Sequence, residues 1–190
     1  GANVTVQDSK NVNEIDSQLV TFLQGKGVEF CLGEIPENVD KFDMLILSPG
    51  VDPELPFVDV AAKSGAEIIG ELEIAFRIAR GHFVAITGTN GKTTTTTLTG
   101  EIFKKSGKKT HVVGNIGVAV ISKALDTVEE DWLITETSSF QLQTTKYFKP
   151  VISAILNLTP DHLNRHHTME NYGLAKGKVF ENQDESGYCI

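Results

Sequence analysis

The stretch Phe83–Thr94, FVAITGTNGKTT, decides how the rest of the chain is read. An apolar, β-branched run enters Gly88-Thr89-Asn90-Gly91-Lys92-Thr93, and a helix-length segment follows. Strand, glycine turn, lysine, hydroxyl and helix in that order are the layout of a phosphate-binding P-loop. The glycines let the backbone curl so that its N–H groups face inward as an anion nest. The helix adds its unpaired first-turn N–H groups and the positive end of its dipole. Thr94 belongs to that first turn, Lys92 can reach terminal phosphates, and the Thr93 hydroxyl can ligate Mg²⁺. The general pattern G-x-x-x-x-G-K-[ST] would place its first glycine at Ile86, whereas here Gly88 comes two residues later. The plainer alternative is a glycine turn between strand and helix that happens to carry a lysine.

Outward from this loop, short apolar runs alternate with helix-length segments. Residues 4–7, 28–31, 44–47, 67–69, 83–87, 110–113, 132–136 and 151–158 read as strands. Residues 15–23, 58–64, 72–78, 94–105, 118–125 and 170–181 read as helices. That alternation predicts an α/β fold with parallel sheet and crossover helices. Five consecutive threonines, Thr93–Thr97, favour a strand by propensity. The spacing of Leu98, Ile102 and Phe103 and the stop at Ser106-Gly107 favour a helix, as the phosphate loop requires. A break is expected at Arg80-Gly81-His82, where basic residues and a glycine close one helix and a new strand begins. It divides the chain into a Rossmann-like unit, 1–81, and a P-loop NTPase-like parallel-sheet unit, 82–190.

Length and composition agree. At roughly 150 residues per domain, 190 residues make about one and a third domains. Hydrophobic residues at 40% and charged residues at 22% are globular values that exclude disorder, collagen and coiled coil as the main class. A net charge of −8 argues against general nucleic-acid binding and against an anionic membrane surface. Two cysteines, Cys31 and Cys189, make no disulfide framework, which fits a reducing cytosol. No apolar run approaches the roughly 18 residues that span a bilayer. The opening GANVTVQDSK is no signal peptide and reads as a chain that begins inside something larger.

Several polar residues fall where parallel sheets bind ligands, at the C-terminal ends of strands. Glu136 ends the run Trp132–Thr135, and with Thr93 it supplies oxygen ligands suited to a Mg²⁺ bridging two phosphates; a solvated strand-end acid is the alternative. Asp161 and His162 follow the strand 151–158. Lys176 sits on the helix 170–181, where a solvated charge is the default. Asp8 ends the strand 4–7, a position that commonly bonds a ribose or base, although the turn DSKN alone would justify an aspartate. His166 and His167 read as ordinary loop residues.

Five strings in register carry a resemblance. TGTNGKTT, GNIG (Gly114–Gly117), ETSSFQL (Glu136–Leu142), LNLTPDHLNRH (Leu156–His166) and AKGKVFENQ (Ala175–Gln183) together resemble the Mur ligase family, in particular its D-glutamate-adding branch. LSPGV (Leu47–Val51) and IIGELE (Ile68–Glu73) extend the resemblance to a UDP-binding first domain. It implies an ATP-dependent amide ligase of peptidoglycan precursor synthesis in the bacterial cytoplasm. The carboxylate of UDP-N-acetylmuramoyl-L-alanine would attack the γ-phosphate of ATP, and the D-glutamate amine would then displace phosphate from the acyl phosphate. Such chemistry rests on positioning and charge neutralisation, so no nucleophilic side chain is required.

By the same resemblance Lys92, Glu136, His162 and Lys176 are the catalytic set, and residues 88–94 (Gly88, Thr89, Asn90, Gly91, Lys92, Thr93, Thr94) cradle ATP. Two Mg²⁺ sites would draw on Thr93, Glu136, His162 and Lys176, with Lys176 carbamylated by CO₂. Asn115, Ser138, Ser139, Gln141 and His162 would face the muramoyl-alanine end of the substrate, and Asp8, Ser9 and Gly50 the UDP end. Asn164 departs from the common DHLDRH. The resemblance further implies a monomeric enzyme of three domains, more than twice this length. Both units here would then be partial, and the isolated chain inactive. Three alternatives stay open: a folylpolyglutamate-synthetase-like ligase, a nucleotide-binding fragment without chemistry, and a small-molecule P-loop kinase.

Overall fold

Burial on both faces is what makes a β-branched, apolar run a central parallel strand, and His82–Thr87 buries five of its six residues. The computed structural model describes residues 1–190. In chain order its strands are β1 (Thr5–Asp8), β2 (Glu29–Leu32), β3 (Met44–Leu47), β4 (Glu67–Gly70), β5 (His82–Thr87), β6 (Thr110–Gly114), β7 (Trp132–Glu136), β8 (Ile152–Ile155) and β9 (Tyr188–Cys189). The helices are α1 (Ser17–Gln24), α2 (Pro56–Lys63), α3 (Glu71–Ile78), α4 (Lys92–Lys105), α5 (Ile121–Ala124), α6 (Ser139–Gln143), α7 (Leu163–His166) and α8 (Met169–Gly177). No helix is long and apolar enough to cross a membrane.

The chain forms two compact units, Gly1–Leu45 with Glu54–Glu67, and Ile46–Pro53 with Ile68–Ile190. Helix α3 thus packs with the second unit, and the division falls ahead of the Arg80–His82 break read from the sequence. In the first unit, β1 and β2 pair in parallel, Thr5 opposite Glu29 through Asp8 opposite Leu32, with α1 as the crossover. Asp16 caps α1 by accepting from the Gln18 N–H.

The second unit holds a five-stranded sheet in the order β6-β7-β5-β8-β9, parallel throughout. Alternation along β5 sends Phe83 and Ala85 to one face and Val84 and Ile86 to the other. The first face is covered by Leu72 and Ala75 of α3, Val120, Ala124 of α5, Leu142 of α6, Phe148 and Val179. Phe76, Phe83 and Phe148 meet edge to face, with centroids 5.5–5.6 Å apart, a favoured aromatic geometry. The second face packs Val84, Ile86, Ile134 and Ala154 against Phe103, Trp132, Ile152 and Leu156.

Helix α4 corrects one expectation. Of its proposed apolar stripe, Phe103 joins the core, but Leu98 and Ile102 are exposed. Thr96 and Gly100 supply the buried face instead, with Thr96 fully enclosed and its hydroxyl without a partner. Small residues there let the helix lie close to the sheet; a Cβ on Gly100 would stand 2.4 Å from Val112 Cγ2.

Glu73 ties α3 to the loop ahead of β8. Its fully buried carboxylate accepts from the backbone N–H groups of Lys146, Tyr147 and Phe148 at 2.9–3.1 Å and from Arg77 Nε at 2.8 Å. Truncation strands the buried Phe148 N–H, at a cost of about 1–3 kcal/mol, and removes the bonds to the part-buried Lys146 and Tyr147 N–H groups and to Arg77. Glu73→Ala is therefore expected to lower the unfolding free energy by about 3 kcal/mol, read from urea denaturation. Thr96→Val removes an unpartnered hydroxyl without changing shape and should leave stability equal or raise it by about 1 kcal/mol.

Candidate active site

The C-terminal ends of β5, β6, β7 and β8 lie side by side because the sheet is parallel. Ile86 pairs with Glu136 and with Ala154, and Gly114 with Glu136. Four loops therefore open at one edge. They are 88–91 after β5, 115–120 after β6, 137–138 after β7 and 156–162 after β8.

The β5 loop reverses direction within four residues. Ile86, at the place of the general pattern's first glycine, is an interior strand residue, 3% exposed. The turn begins instead at Gly88, with φ +149°. A Cβ there would stand 3.1 Å from Leu156 Cβ and 3.4 Å from the Asn157 nitrogen. Both the dihedral and the close approach demand glycine. The first bond of α4 beyond the turn runs from the Thr95 N–H to the Gly91 carbonyl, so the preceding N–H groups are unpaired within the helix.

Two lysines converge on this loop. Lys92 Nζ donates to the Gly88 and Thr89 carbonyls, both at 2.9 Å. Lys176 Nζ donates to the same Gly88 carbonyl at 2.8 Å, and to Thr87 Oγ1 at 3.4 Å. Lys176 is 2% exposed and lies 4.7 Å from the centroid of the Tyr172 ring. Burial, reinforced by the positive charge of Lys92 and opposed by Asp161, lowers its pKa to about 8. Tyr172 Oη lies 3.2 Å from Thr89 Oγ1, and burial pushes its phenol up.

A second cluster forms across β5, β6 and β7. Thr93 Oγ1 donates to Glu136 Oε2 at 2.8 Å, and Asn115 Nδ2 donates to Glu136 Oε1 at 2.9 Å. Asn115 reaches Glu136 because Gly114, at φ +109°, brings the backbone against β7; a Cβ on it would lie 2.2 Å from the Glu136 carbonyl oxygen. The Asn115 N–H donates to that same carbonyl at 2.9 Å.

His162 stands apart from these contacts. It is exposed, with a left-handed φ of +52°; its ring is 4.9 Å from Phe140, and its Nε2 is 3.4 Å from Asp161 Oδ2. Ser138 and Gln141 form a capping box at the start of α6. Gln141 Oε1 accepts from the Ser138 N–H, and Ser138 Oγ accepts from the Gln141 N–H. Ser139 is buried and lies 2.9 Å from His166 Nε2. Three of the polar groups expected near substrate thus also bond within the protein, Ser138 and Gln141 to each other and Ser139 to His166 of α7.

In the first unit, Asp8 Oδ1 accepts from the Lys10 N–H at 2.8 Å, the turn bond that the sequence alone would justify, and Ser9 is exposed within that turn. Gly50, in the second unit, is also exposed, in the turn closed by the Val51 N–H on the Ser48 carbonyl at 2.9 Å.

Two residues passed over in the sequence matter here. His166, read as a loop residue, is 2% exposed and lies between Phe140 and Tyr172; burial, aided by Arg165, His162, Lys176 and His167, lowers its pKa. Asn157 bonds the phosphate loop through its side chain. The sequence places it inside the strand 151–158, whereas β8 ends at Ile155 and leaves Asn157 in the loop beyond.

No group of three or more His, Cys, Asp and Glu side chains could form an all-protein metal cage. Mg²⁺ does not need one, since it usually keeps several waters and takes one or two protein oxygens plus phosphates. The adjoining Thr93 hydroxyl and Glu136 carboxylate fit that demand.

Comparison with known proteins agrees with this geometry. Residues 86–190 match the family model described as the Mur ligase middle domain. The UDP-N-acetylmuramoylalanine–D-glutamate ligases of Alkaliphilus oremlandii and Clostridioides difficile are 54% and 48% identical to the chain over its whole length. The chain spans 42% of each of them. Among solved structures, UDP-N-acetylmuramate:L-alanyl-gamma-D-glutamyl-meso-diaminopimelate ligase from Neisseria meningitides covers 98% of the chain, and the chain covers 62% of it, at 15% identity and a TM-score of 0.58, a likeness of fold. With more than half of its residues matched by the family model, and with the P-loop, strand-end glutamate and buried lysine assembled on one sheet edge, the chain belongs to the Mur ligase family.

Proposed function

We propose that the chain carries the ATP-binding core, and part of the substrate site, of a ligase that joins D-glutamate to UDP-N-acetylmuramoyl-L-alanine through an acyl phosphate. The convergence of Lys92 and Lys176 on the Gly88 carbonyl carries this reading. Two ammonium groups held on one carbonyl beside a helix N-terminus form a concentrated positive site in a chain of net charge −8, and polyphosphate is the anion that such a site fits.

The roles divide by position. Residues 88–94 wrap the phosphates, and Lys92 neutralises the charge that builds on the transferred group. Thr93 and Glu136 would hold Mg²⁺, which when bound supplies further neutralisation of phosphate charge. Asn115 and Ser138, at the ends of β6 and β7, face the muramoyl-alanine end, and His162 lies beyond Asp161 on the same edge. Asp8 and Ser9, in the first unit, are the proposed contacts to UDP. The activity is proposed for a monomeric, cytoplasmic enzyme.

Lys176 has a distinct proposed role. Without CO₂ its ammonium form is part of the positive site; with CO₂ its neutral amine can add to the carbon and lose a proton, giving a carbamate that replaces that cation with an oxygen ligand. At pH 8 about half of an amine with a pKa of about 8 is neutral, against well under about 1% for an ordinary lysine. Because the pKa is lowered, the reactive form is lost as pH falls below about 8 and gained above it.

Calorimetric titration with ADP, with and without Mg²⁺, tests the nucleotide reading. Lys92→Ala should weaken binding at least about tenfold, about 1.4 kcal/mol, and Glu136→Gln should abolish the Mg²⁺-dependent part. Equal affinity in all three proteins would refute it. For the carbamate, ¹³C-bicarbonate should give a carbamate resonance that grows from pH 7 to 9 and vanishes in Lys176→Ala. In the full-length polypeptide that variant should lose most ligase activity and regain part of it with small carboxylates; full activity without them would contradict the assignment.

A further inference from the structure

We propose that Asn157 is a positioning residue that aims the Gly91 N–H into the anion site by holding the carbonyl before it, an inference that rests on the reading of residues 88–94 as a phosphate loop. Asn157 lies two residues beyond the end of β8, where parallel pairing with β5 continues past both strands. The Leu156 N–H donates to the Thr87 carbonyl at 3.0 Å, and the Thr89 N–H to the Asn157 carbonyl at 3.1 Å. From that place the carboxamide reaches across to the loop. Its Oδ1 accepts from the Thr89 N–H at 3.1 Å and the Asn90 N–H at 2.9 Å, and its Nδ2 donates to the Asn90 carbonyl at 3.0 Å.

A carboxamide accepts at one atom and donates from another, which lets Asn157 hold the Asn90 N–H and C=O together. An asparagine that merely shapes its own turn bonds its own neighbours. All three bonds here go to residues 67 or 68 positions away. Thr89 adds a second fastening: its hydroxyl donates to the Thr159 carbonyl at 3.1 Å and accepts from the Thr159 N–H at 3.0 Å.

The consequence follows from peptide geometry. No peptide bond in the chain is cis, and in a planar trans peptide the carbonyl and the following N–H point in opposite directions. Drawing the Asn90 oxygen toward Asn157 turns the Gly91 N–H away from it, to join the unpaired donors at the start of α4. The two N–H groups that Asn157 occupies, those of Thr89 and Asn90, are held as structure. Within residues 88–94 the division assigns the backbone N–H donors to phosphate from Gly91 onward and leaves Thr89 and Asn90 to shape the loop.

Asn157→Leu removes all three bonds at nearly constant size and adds no charge. ADP affinity, measured with Mg²⁺ by calorimetry, should fall about tenfold, and Asn157→Ala should behave alike. In ¹⁵N-labelled wild-type protein, ADP should shift the Gly91 amide resonance strongly while the Thr89 and Asn90 amides stay protected from exchange. Wild-type affinity in Asn157→Leu, with Lys92→Ala weakened, would overturn the clamp and leave the phosphate loop standing. Undiminished binding in Lys92→Ala would bring down the phosphate loop and the clamp together. Should the variants fail to fold, the wild-type spectra decide: loss of protection at Thr89 and Asn90 on adding ADP, or an unmoved Gly91 amide, overturns the proposal.

Discussion

Gly88 is the point where the site's backbone and charges meet. Having no side chain, it lets the turn after β5 lie against Leu156 and Asn157, and its carbonyl receives both Lys92 and Lys176. Any other residue would push the loop off the end of β8, separating the two ammonium groups and breaking the bonds from Asn157. The register of β5 with β7 and β8 then places Thr93 on Glu136. A steric condition at one backbone position thus precedes the electrostatics of the whole edge.

Those electrostatics are unfavourable without an anion. Two cations on one carbonyl repel, and one of them is buried, which is why the Lys176 amine titrates near 8. Carbonyl oxygens and the Tyr172 ring offset part of the cost. A bound polyphosphate would offset more. Net charge, which governs long-range attraction, says little about it; the donors act within hydrogen-bonding distance.

Much of this was legible in the sequence, for physical reasons that differ between residues. The order strand, glycine, lysine, hydroxyl and helix is local, and Gly88, Lys92 and Thr93 stand where it put them. Glu136 was legible because a strand end in a parallel sheet is a known edge. The contacts of Asn157, His166 and Glu73 span 27 to 75 positions and carry no local pattern. The exposure of Leu98 and Ile102 escaped the helical stripe because Thr96 and Gly100, poor helix formers, set the buried face of α4. The grouping of α3 with the second unit was likewise invisible in a local break at Gly81, since it depends on Phe76 meeting Phe83 and Phe148.

The central claim, that Lys92 and Lys176 share one anion site built on Gly88, is tested most directly by lysine-selective NMR. In CO₂-free buffer, where Lys176 is an unmodified amine, titrating it with and without ADP measures whether an anion reaches both lysines. The account predicts that ADP raises the Lys176 pKa from about 8 toward the ordinary lysine value while the Lys92 resonance moves at the same ADP concentrations. A Lys176 pKa indifferent to ADP, with Lys92 alone responding, would contradict it.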